Sequence, residues 1–314
     1  MGLLDPRADL ASFAWATRAA ELERLQEALN PADAVDLAED KRRFGEICDR
    51  HRLPAARQMA VLERRRDPEE TAAAWAAALD RAAPDGLVVK PVDGHRGLGV
   101  RVLARAPGGV EDHRGRAAGW PQLARDLAAE PWPGYVVQER LRPHPELARL
   151  SGHGLLHTVR LVTLREEGGD PRMIGAILRV AEGREPVDSF RGGRTGNLIA
   201  YPGSDGAVVR AWRVAASGFG FVRAPAHPRT GARLEGFRIP GWEAACALAL
   251  RAAEAFAPLR AVGFDVAPTP EGPRLVEANA WWSWIADPGG GPDRVAAALR
   301  EAVASGAVPP PPAR

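Results

Sequence analysis

Residues 86–104 read GLVVKPVDGHRGLGVRVLA. Leu87-Val88-Val89 is an apolar, largely β-branched run, Gly99-Val100-Arg101-Val102-Leu103 largely alternates, and Gly94 and Gly97 lie between them. This pattern predicts two antiparallel strands joined by a glycine-rich turn. Glycine reaches φ > 0 at no steric cost, so such a loop can aim several backbone N–H groups at an anion, and Lys90 adds a compact point charge at the strand's end. Glycines in a hairpin serve turn geometry equally well, so the stretch alone leaves phosphate binding and a plain turn both open.

The basic residues favour the first reading. Of 42 Lys and Arg residues only Lys41 and Lys90 are lysines. A composition driven this far towards arginine keeps an ammonium where a compact, flexible charge is needed, as against a phosphate oxygen that a planar guanidinium fork reaches poorly. Asparagine is nearly as scarce, occurring at Asn30, Asn197 and Asn279.

With 314 residues, 46% of them hydrophobic, the chain is long enough to bury a core in one large lobe or two to three modest ones. A net charge of +2, with 40 acidic residues dispersed among the basic ones, excludes a dedicated nucleic-acid binder, since no long run of one sign occurs. Cys48 and Cys246 fall on predicted helices without metal-ligand spacing, so neither a disulfide framework nor a zinc site is expected. No signal-like N-terminal stretch and no apolar run of about eighteen residues is present, which predicts a cytoplasmic protein without a membrane span.

Along the chain, Leu10, Ala14, Leu22, Leu25 and Leu29 keep near-helical spacing until Asn30-Pro31, predicting a helix over 10–29. Further helices are expected over 36–51 and 68–83, the latter with acidic residues in its first turn and a proline beyond its end. Residues 107–119 are polar without clear period, and a short helix is expected over 121–129. Strands over 135–141, 155–164, 173–180 and 207–214 make the middle of the chain an antiparallel sheet. The loop 182–197, EGREPVDSFRGGRTGN, fits a lid and an ordinary surface loop alike. A helix over 242–259, strands over 262–267 and 274–279, and a helix over 293–305 complete the predicted elements.

Asp265 lies on one of the last two strands and Glu277 and Asn279 on the other, where i, i+2 spacing puts the latter pair on one face. Hard oxygen ligands of this kind suit Mg²⁺, which takes one or two carboxylates and bridges to nucleotide phosphates. A charged sheet edge reads the same way, and the link to phosphate comes from Lys90 and the glycine loop.

Taken in order, these residues resemble the ATP-grasp superfamily, and within it the sugar-transfer associated ATP-grasp group, a relative of glutathione-synthetase-like ligases. The resemblance is carried by Asp40-Lys41 with Phe44, by Lys90-Pro91-Val92 with Gly94, Gly97 and Gly99-Val100, and by Val137-Gln138-Glu139-Arg140-Leu141 with His144-Pro145. It continues in Thr158-Val159-Arg160-Leu161-Val162-Thr163, Arg179, Gly192-Gly193, and Gly263-Phe264-Asp265-Val266-Ala267 with Glu277-Ala278-Asn279. The fold it implies is α+β: two lobes with antiparallel sheets sandwiching a nucleotide, preceded by short N-terminal helices. Its division here would be a helical segment 1–54, a small nucleotide-clamping lobe 55–142, a large lobe 143–306 with the metal site, and a disordered proline-rich tail 307–314.

The resemblance also implies roles. Lys41 and Lys90 would contact phosphates and the adenine edge, and Gly94, Gly97 and Gly99 would close over the triphosphate. Glu139 would accept from the adenine amino group, with Gln138 beside it and backbone groups at Arg140 and Leu141 reading the ring. Glu146 stands where the family places its ribose-binding acid, although an acid starting a helix reads the same way. Asp265, Glu277 and Asn279 match the Mg²⁺ ligands, and Arg160 and Arg179 would neutralise the transferred phosphoryl group, unless strand alternation turns them to solvent. His157 fits a substrate contact or a structural role.

Two departures stand out. About 40 residues precede Lys41 where most ligases of the superfamily have a longer N-terminal domain, which predicts an absent or rebuilt acceptor surface. Trp281-Trp282-Ser283-Trp284 replaces a short proline-bearing turn, and either a stacking platform or a hydrophobic plug fits. Trp281 and Trp282, with Arg194 and Asn197, are therefore the candidate substrate residues. The implied activity is an ATP- and Mg²⁺-dependent ligase joining a small-molecule carboxylate to an amine through an acyl phosphate, in cell-surface glycan or specialised-metabolite assembly. A phosphotransferase acting on a hydroxyl and a non-catalytic nucleotide-binding protein stay open as alternatives, the complete Asp265, Glu277, Asn279 set speaking against the last.

Overall fold

The computed structural model describes residues 10–82, 86–95, 97–218 and 220–306; the expected tail 307–314 lies outside them. Helix α1 (Leu10–Leu29) stops at Asn30-Pro31 as its sequence predicts. The single helix expected over 36–51 is instead two, α2 (Asp36–Glu39) and α3 (Lys41–Arg50). Asp40 separates them because it leaves the helical conformation (φ −78°, ψ 112°) to cap α3, accepting the Arg42 N–H at 2.8 Å.

The next elements are β1 (Gln58–Glu63), α4 (Pro68–Ala82), β2 (Leu87–Pro91), β3 (Arg101–Ala106), β4 (Gly109–Asp112), β5 (Ala117–Gly119), α5 (Trp120–Ala129) and β6 (Gly134–Glu139). They form one antiparallel sheet in the order β1-β6-β2-β3-β4-β5. Leu87, Val89, Tyr135 and Val137 point from it into a core with Trp75 and Leu79 of α4 and Leu123 and Leu127 of α5. The polar region without clear period, 107–119, makes the β4–β5 hairpin. Its order comes from one side chain, Asp112, which accepts the N–H groups of Arg114 at 2.8 Å and Arg116 at 3.0 Å, an organisation that apolar periodicity does not record.

The second half contains α6 (Pro145–Ser151), β7 (Thr158–Arg165), β8 (Pro171–Val180), β9 (Leu198–Pro202), β10 (Val208–Val214), β11 (Phe221–Arg223), α7 (Trp242–Ala255), β12 (Ala261–Thr269), β13 (Gly272–Asn279) and α8 (Arg294–Gly306). Its antiparallel sheet runs β11-β10-β9-β8-β7-β12-β13. One face packs on α7, where Val159, Leu161, Phe264 and Val266 meet Ala245, Leu248, Ala249 and Ala252. The other face is divided. Val162 and Leu164 are covered by α1 and α8 through Leu25, Leu29, Leu299 and Ala302, whereas Thr158 and Arg160, on the same side of β7, border a cavity.

The two sheets are tied at one edge. The Ala56 N–H donates to Leu275 O at 2.9 Å, the Leu275 N–H donates to Pro54 O at 2.8 Å, and Arg274 reaches both Ala55 O (2.6 Å) and Glu139 Oε1 (2.7 Å). Asn30 pins the end of α1 just as specifically. Its amide donates to Ala261 O (2.9 Å) and Ala280 O (3.3 Å) and accepts the N–H groups of Arg260 (3.0 Å) and Ala261 (2.9 Å). Replacing it strands buried backbone groups, so Asn30→Ala should destabilise the protein by about 1–3 kcal/mol in urea denaturation, and Asn30→Asp, which sets a carboxylate oxygen against the Ala261 and Ala280 carbonyls, should lose at least as much.

Candidate active site

A cavity of about 690 Å³ lies between the two sheets. On the smaller sheet the alternation that sends Leu87 and Val89 into the core leaves Val88 and Lys90 facing the cavity, and the register sets Val88 opposite both Val102 and Gln138. On the larger sheet Arg160 and Glu277 both pair with Asp265, so β7, β12 and β13 carry a charged row, with Arg179 paired to Thr158 beside it and Asn279 to Gly263.

Asp265 is the centre of that row. At 2% exposure, its Oδ1 accepts from Arg160 Nε at 2.5 Å and its Oδ2 from Arg160 Nη2 at 3.0 Å and Arg179 Nη2 at 2.6 Å. Burial pushes its carboxyl up, but the two guanidinium groups outweigh that and hold it below the ordinary aspartate range. Arg179 also donates to Thr158 Oγ1 at 2.6 Å and lies 3.6 Å from Asp188, whose other oxygen accepts from the backbone N–H (2.7 Å) and hydroxyl (2.6 Å) of Thr158. Burial raises the Asp188 carboxyl, with Arg179 opposing it.

The two lysines meet from different elements. Lys41 Nζ lies 3.2 Å from Glu277 Oε1 and donates to Gly94 O at 2.6 Å, while Lys90 Nζ donates to Val276 O at 3.4 Å. Burial lowers the Lys90 ammonium pKa, with Glu277 opposing. Gly94 and Gly97 belong to the cavity wall. The expected start of the second strand at Gly99 moves to Arg101, because Gly97 and Gly99 both take left-handed backbone (φ 69° and 71°). Gly99 lies outside the cavity wall; a Cβ there would come 2.7 Å from Pro91 Cγ and 2.8 Å from Trp132 Nε1. Arg191 Nη2 donates to Gly97 O at 2.7 Å, and His95 lies 3.4 Å from Glu39, so the loop is held from three sides.

The cavity brings together Lys41, Lys90, Gly94, Gly97, Gln138, Glu139, Arg140, Leu141, Arg160, Arg179, Asp265, Glu277, Asn279, Trp281 and Trp282. Glu146, Arg194 and Asn197 are not in its wall. Glu146 stands in the first turn of α6, where its N–H is capped by His144 Nδ1 at 3.3 Å. Arg194 is exposed, and Asn197 is spent on the loop's own backbone, accepting the Glu182 N–H (2.9 Å) and donating to Val187 O and Ser189 O (3.0 Å each). Trp282 touches the cavity but is mainly a core residue, buried with its indole N–H on Ala261 O at 3.3 Å; Trp281 keeps 39% of its surface exposed.

A divalent cation has a partial donor set here. Glu277 offers a carboxylate, and Asn279, whose Nδ2 is tied to Gly263 O at 3.1 Å, offers its amide oxygen from the same strand face. These hard oxygens fit Mg²⁺, which completes its shell with phosphates and water. Asp265 already accepts from Arg160 and Arg179, and among the described residues no group of three or more His, Cys, Asp or Glu side chains forms a cage.

The chain matches the sugar-transfer associated ATP-grasp family over residues 21–287. It belongs to that family. Among solved structures, this ATP-grasp chain is similar to biotin carboxylase from Campylobacter jejuni in complex with β,γ-ATP (13% identity, 90% of this chain and 50% of that one, TM-score 0.48). It is similar to D-alanine–D-alanine ligase from Bacillus anthracis complexed with ATP (11%, 88% and 70%, TM-score 0.47). A third is N5-carboxyaminoimidazole synthase from Aspergillus clavatus with ADP and 5-aminoimidazole ribonucleotide (12%, 90% and 55%, TM-score 0.46). The chain spans about half the length of the biotin carboxylase, and no curated protein matches it.

Sequence reading missed Asp188 and Glu39. Asp188 sits in the glycine- and arginine-rich loop as one of three acids with Glu182 and Glu185, and nothing local sets it apart from them. Glu39 accepts the N–H groups of Ala280 (2.7 Å) and Trp281 (2.9 Å), contacts more than 240 positions away that no local pattern encodes. His157, left open between substrate contact and structure, is buried: its Nδ1 accepts the Ala181 N–H at 3.1 Å and its Nε2 lies 3.0 Å from Ser151 Oγ. Burial pushes its pKa from 6.5 down to about 3. The unfolded chain therefore takes up this proton at higher pH than the folded one. The contribution is full above pH 6.5 and is lost as pH falls towards 3, by up to about 1.4 kcal/mol per pH unit. In His157→Gln the stability loss between pH 7 and 5, followed by urea denaturation, should be smaller by about 2 kcal/mol; an unchanged slope would place the acid sensitivity elsewhere.

Proposed function

We propose that this ATP-grasp protein is an ATP-dependent ligase that activates a small-molecule carboxylate as an acyl phosphate and joins it to an amine, acting in the cytoplasm. The convergence of the chain's two lysines on the wall that carries Glu277, Arg160 and Arg179 supports this most directly, because it concentrates cations where a triphosphate would lie. The residues fit a nucleotide laid along the cavity. Gln138 Oε1, buried with no hydrogen-bond partner, is available to an adenine amino group, and the backbone at Arg140 and Leu141 borders the same end. The expected small lobe 55–142 would carry the base contacts, with Lys90 and the glycine loop against the phosphates, and the expected large lobe 143–306 would carry Arg160, Arg179, Glu277 and Asn279.

Glu277 and Asn279 are the residues that would hold Mg²⁺, which when bound supplies charge neutralisation at the transferred phosphate. In the first step a carboxylate oxygen of the donor attacks the γ-phosphorus, the bond to the β-phosphate oxygen breaks, and ADP leaves. Lys41 and Lys90 bind the phosphates, and Arg160 and Arg179, oriented by Asp265, face the developing charge on the equatorial oxygens. In the second step the amine nitrogen attacks the acyl carbon, the carbon–oxygen bond to phosphate breaks, phosphate leaves, and the amine proton passes to solvent. Little covalent help from the protein is required, so positioning and charge dominate.

Calorimetry with MgATP tests the binding half. Lys90→Ala should weaken MgATP about 10- to 100-fold, the value of a charge-assisted hydrogen bond, and wild-type affinity in that variant would remove Lys90 from the site. Glu277→Gln should raise the Mg²⁺ concentration needed for half-maximal turnover, and normal metal dependence would take it out of the metal site. Product analysis with candidate acids and amines tests the chemistry. ADP with free phosphate and an amide is expected, whereas ADP with a phosphorylated acceptor would reassign the reaction to phosphotransfer.

A further inference from the structure

Past Asn279 the cavity ends on α1 and on the tryptophan-bearing segment, and we propose that this end is the subsite for an ammonium group carried on a ring with an apolar face. The ring would lie on Trp281 and the ammonium would face Glu23. The inference rests on the ligase reading and names the acceptor class for the same site. Five carboxylates belong to the cavity wall: Glu23, Glu139, Asp188, Asp265 and Glu277. Glu139 is paired with Arg274, Asp188 with Arg179, Asp265 with Arg160 and Arg179, and Glu277 with Lys41. Glu23 has no cation partner among the described residues.

The platform is fixed at its base. Glu39 accepts the backbone N–H of Trp281 at 2.9 Å, while the indole stays 39% exposed in the wall. On α1, Gln26 donates to Trp282 O at 2.8 Å, which locks the helix against the tryptophan segment, and Glu23 lies three residues earlier, on the same face of the helix. An indole face and an unpaired carboxylate on one wall together recognise a cation attached to an apolar surface. Lys41, Lys90, Arg160 and Arg179 attract phosphate next to this subsite, Trp282 Cβ and Arg160 Cδ lying 2.9 and 3.0 Å from where a Cβ on Gly263 would stand, so the amine would be held beside the transferred phosphoryl group.

Both an amino sugar and an arylalkylamine carry this chemistry, and two matched pairs separate them: D-glucosamine against D-glucose, and 2-phenylethylamine against 2-phenylethanol. With the full chain saturated by the magnesium complex of a non-hydrolysable ATP analogue, calorimetry at pH 7 should show the amine of one pair binding about three- to tenfold tighter than its neutral partner, the combined value of an exposed ion pair and a cation–π contact. Glu23→Gln should abolish the preference without weakening the neutral partner, Trp281→Ala should weaken both members, and both variants should bind the ATP analogue with wild-type affinity, which shows that they are folded. Equal binding within both pairs, or a preference that survives Glu23→Gln, overturns the assignment while nucleotide binding stands. Failure of the wild type to bind the ATP analogue overturns the ligase reading and the subsite with it.

Discussion

Asp265 sits at 2% exposure between two guanidinium groups, and much of the architecture around the cavity follows from the requirement that such a carboxylate be paired. A lone ion buried in low dielectric costs several kcal/mol, and pairing offsets this only with good geometry and satisfied remaining donors. Here the register of β7 and β12 supplies that geometry by setting Arg160 opposite Asp265, and Arg179 reaches the same carboxylate from β8. The remaining Arg179 donors go to Thr158, and Thr158 is held by Asp188 from the loop 182–197. One buried charge thus propagates outward until it orders a loop on the cavity's edge.

A second constraint comes from the outer face of the larger sheet. Along β7 the residues 158, 160, 162 and 164 share one side; the first two are polar and border the cavity, the last two are apolar and lie under α1 and α8. The cavity therefore ends where the helical cover begins, and α1 is both lid to a hydrophobic patch and end wall of the site. Residues 39–41 bridge the two sheets' contributions. Glu39 holds the backbone at 280–281 and contacts His95, Asp40 caps α3, and Lys41 joins Gly94 to Glu277. Pairing with Glu39 raises the His95 imidazole pKa, with burial opposing, and lowers that of Glu39 against burial, so each partner favours the charged form of the other where the glycine loop meets the strand end.

Legibility in the sequence followed the range of the interaction responsible. The helices 10–29, 68–82 and 242–255 and the strands at 171–180 and 261–279 carry enough period to be read directly. The β4–β5 hairpin and the break at Asp40 are each capped by one aspartate side chain, Asp112 and Asp40, which leaves no periodic trace. Asn197, one of three asparagines, is engaged with the backbone of its own loop and stands outside the cavity wall. Trp281 and Trp282, adjacent in sequence, parted company: one indole is a core plug and its neighbour faces the cavity.

Residue chemistry and local period were enough to establish an α+β chain with a glycine loop, two lysines kept against an arginine-rich background, and a paired set of oxygen donors on the last strands. Those properties are local, because side-chain type and i, i+2 or i, i+4 spacing are read within a few residues. Which carboxylates remain available was settled only by folding. Asp265 and Glu277 look alike as candidate ligands in the chain, but the folded sheet brings Arg160 of β7 and Arg179 of β8 to the first, and α3 brings the single Lys41 to the second. Glu23, unremarked among the acids of α1, gains its place in the cavity wall from the docking of that helix against the far end of the sequence. Pairing in a low-dielectric interior is a property of space and not of sequence neighbours, and it is there that the site acquires its chemistry.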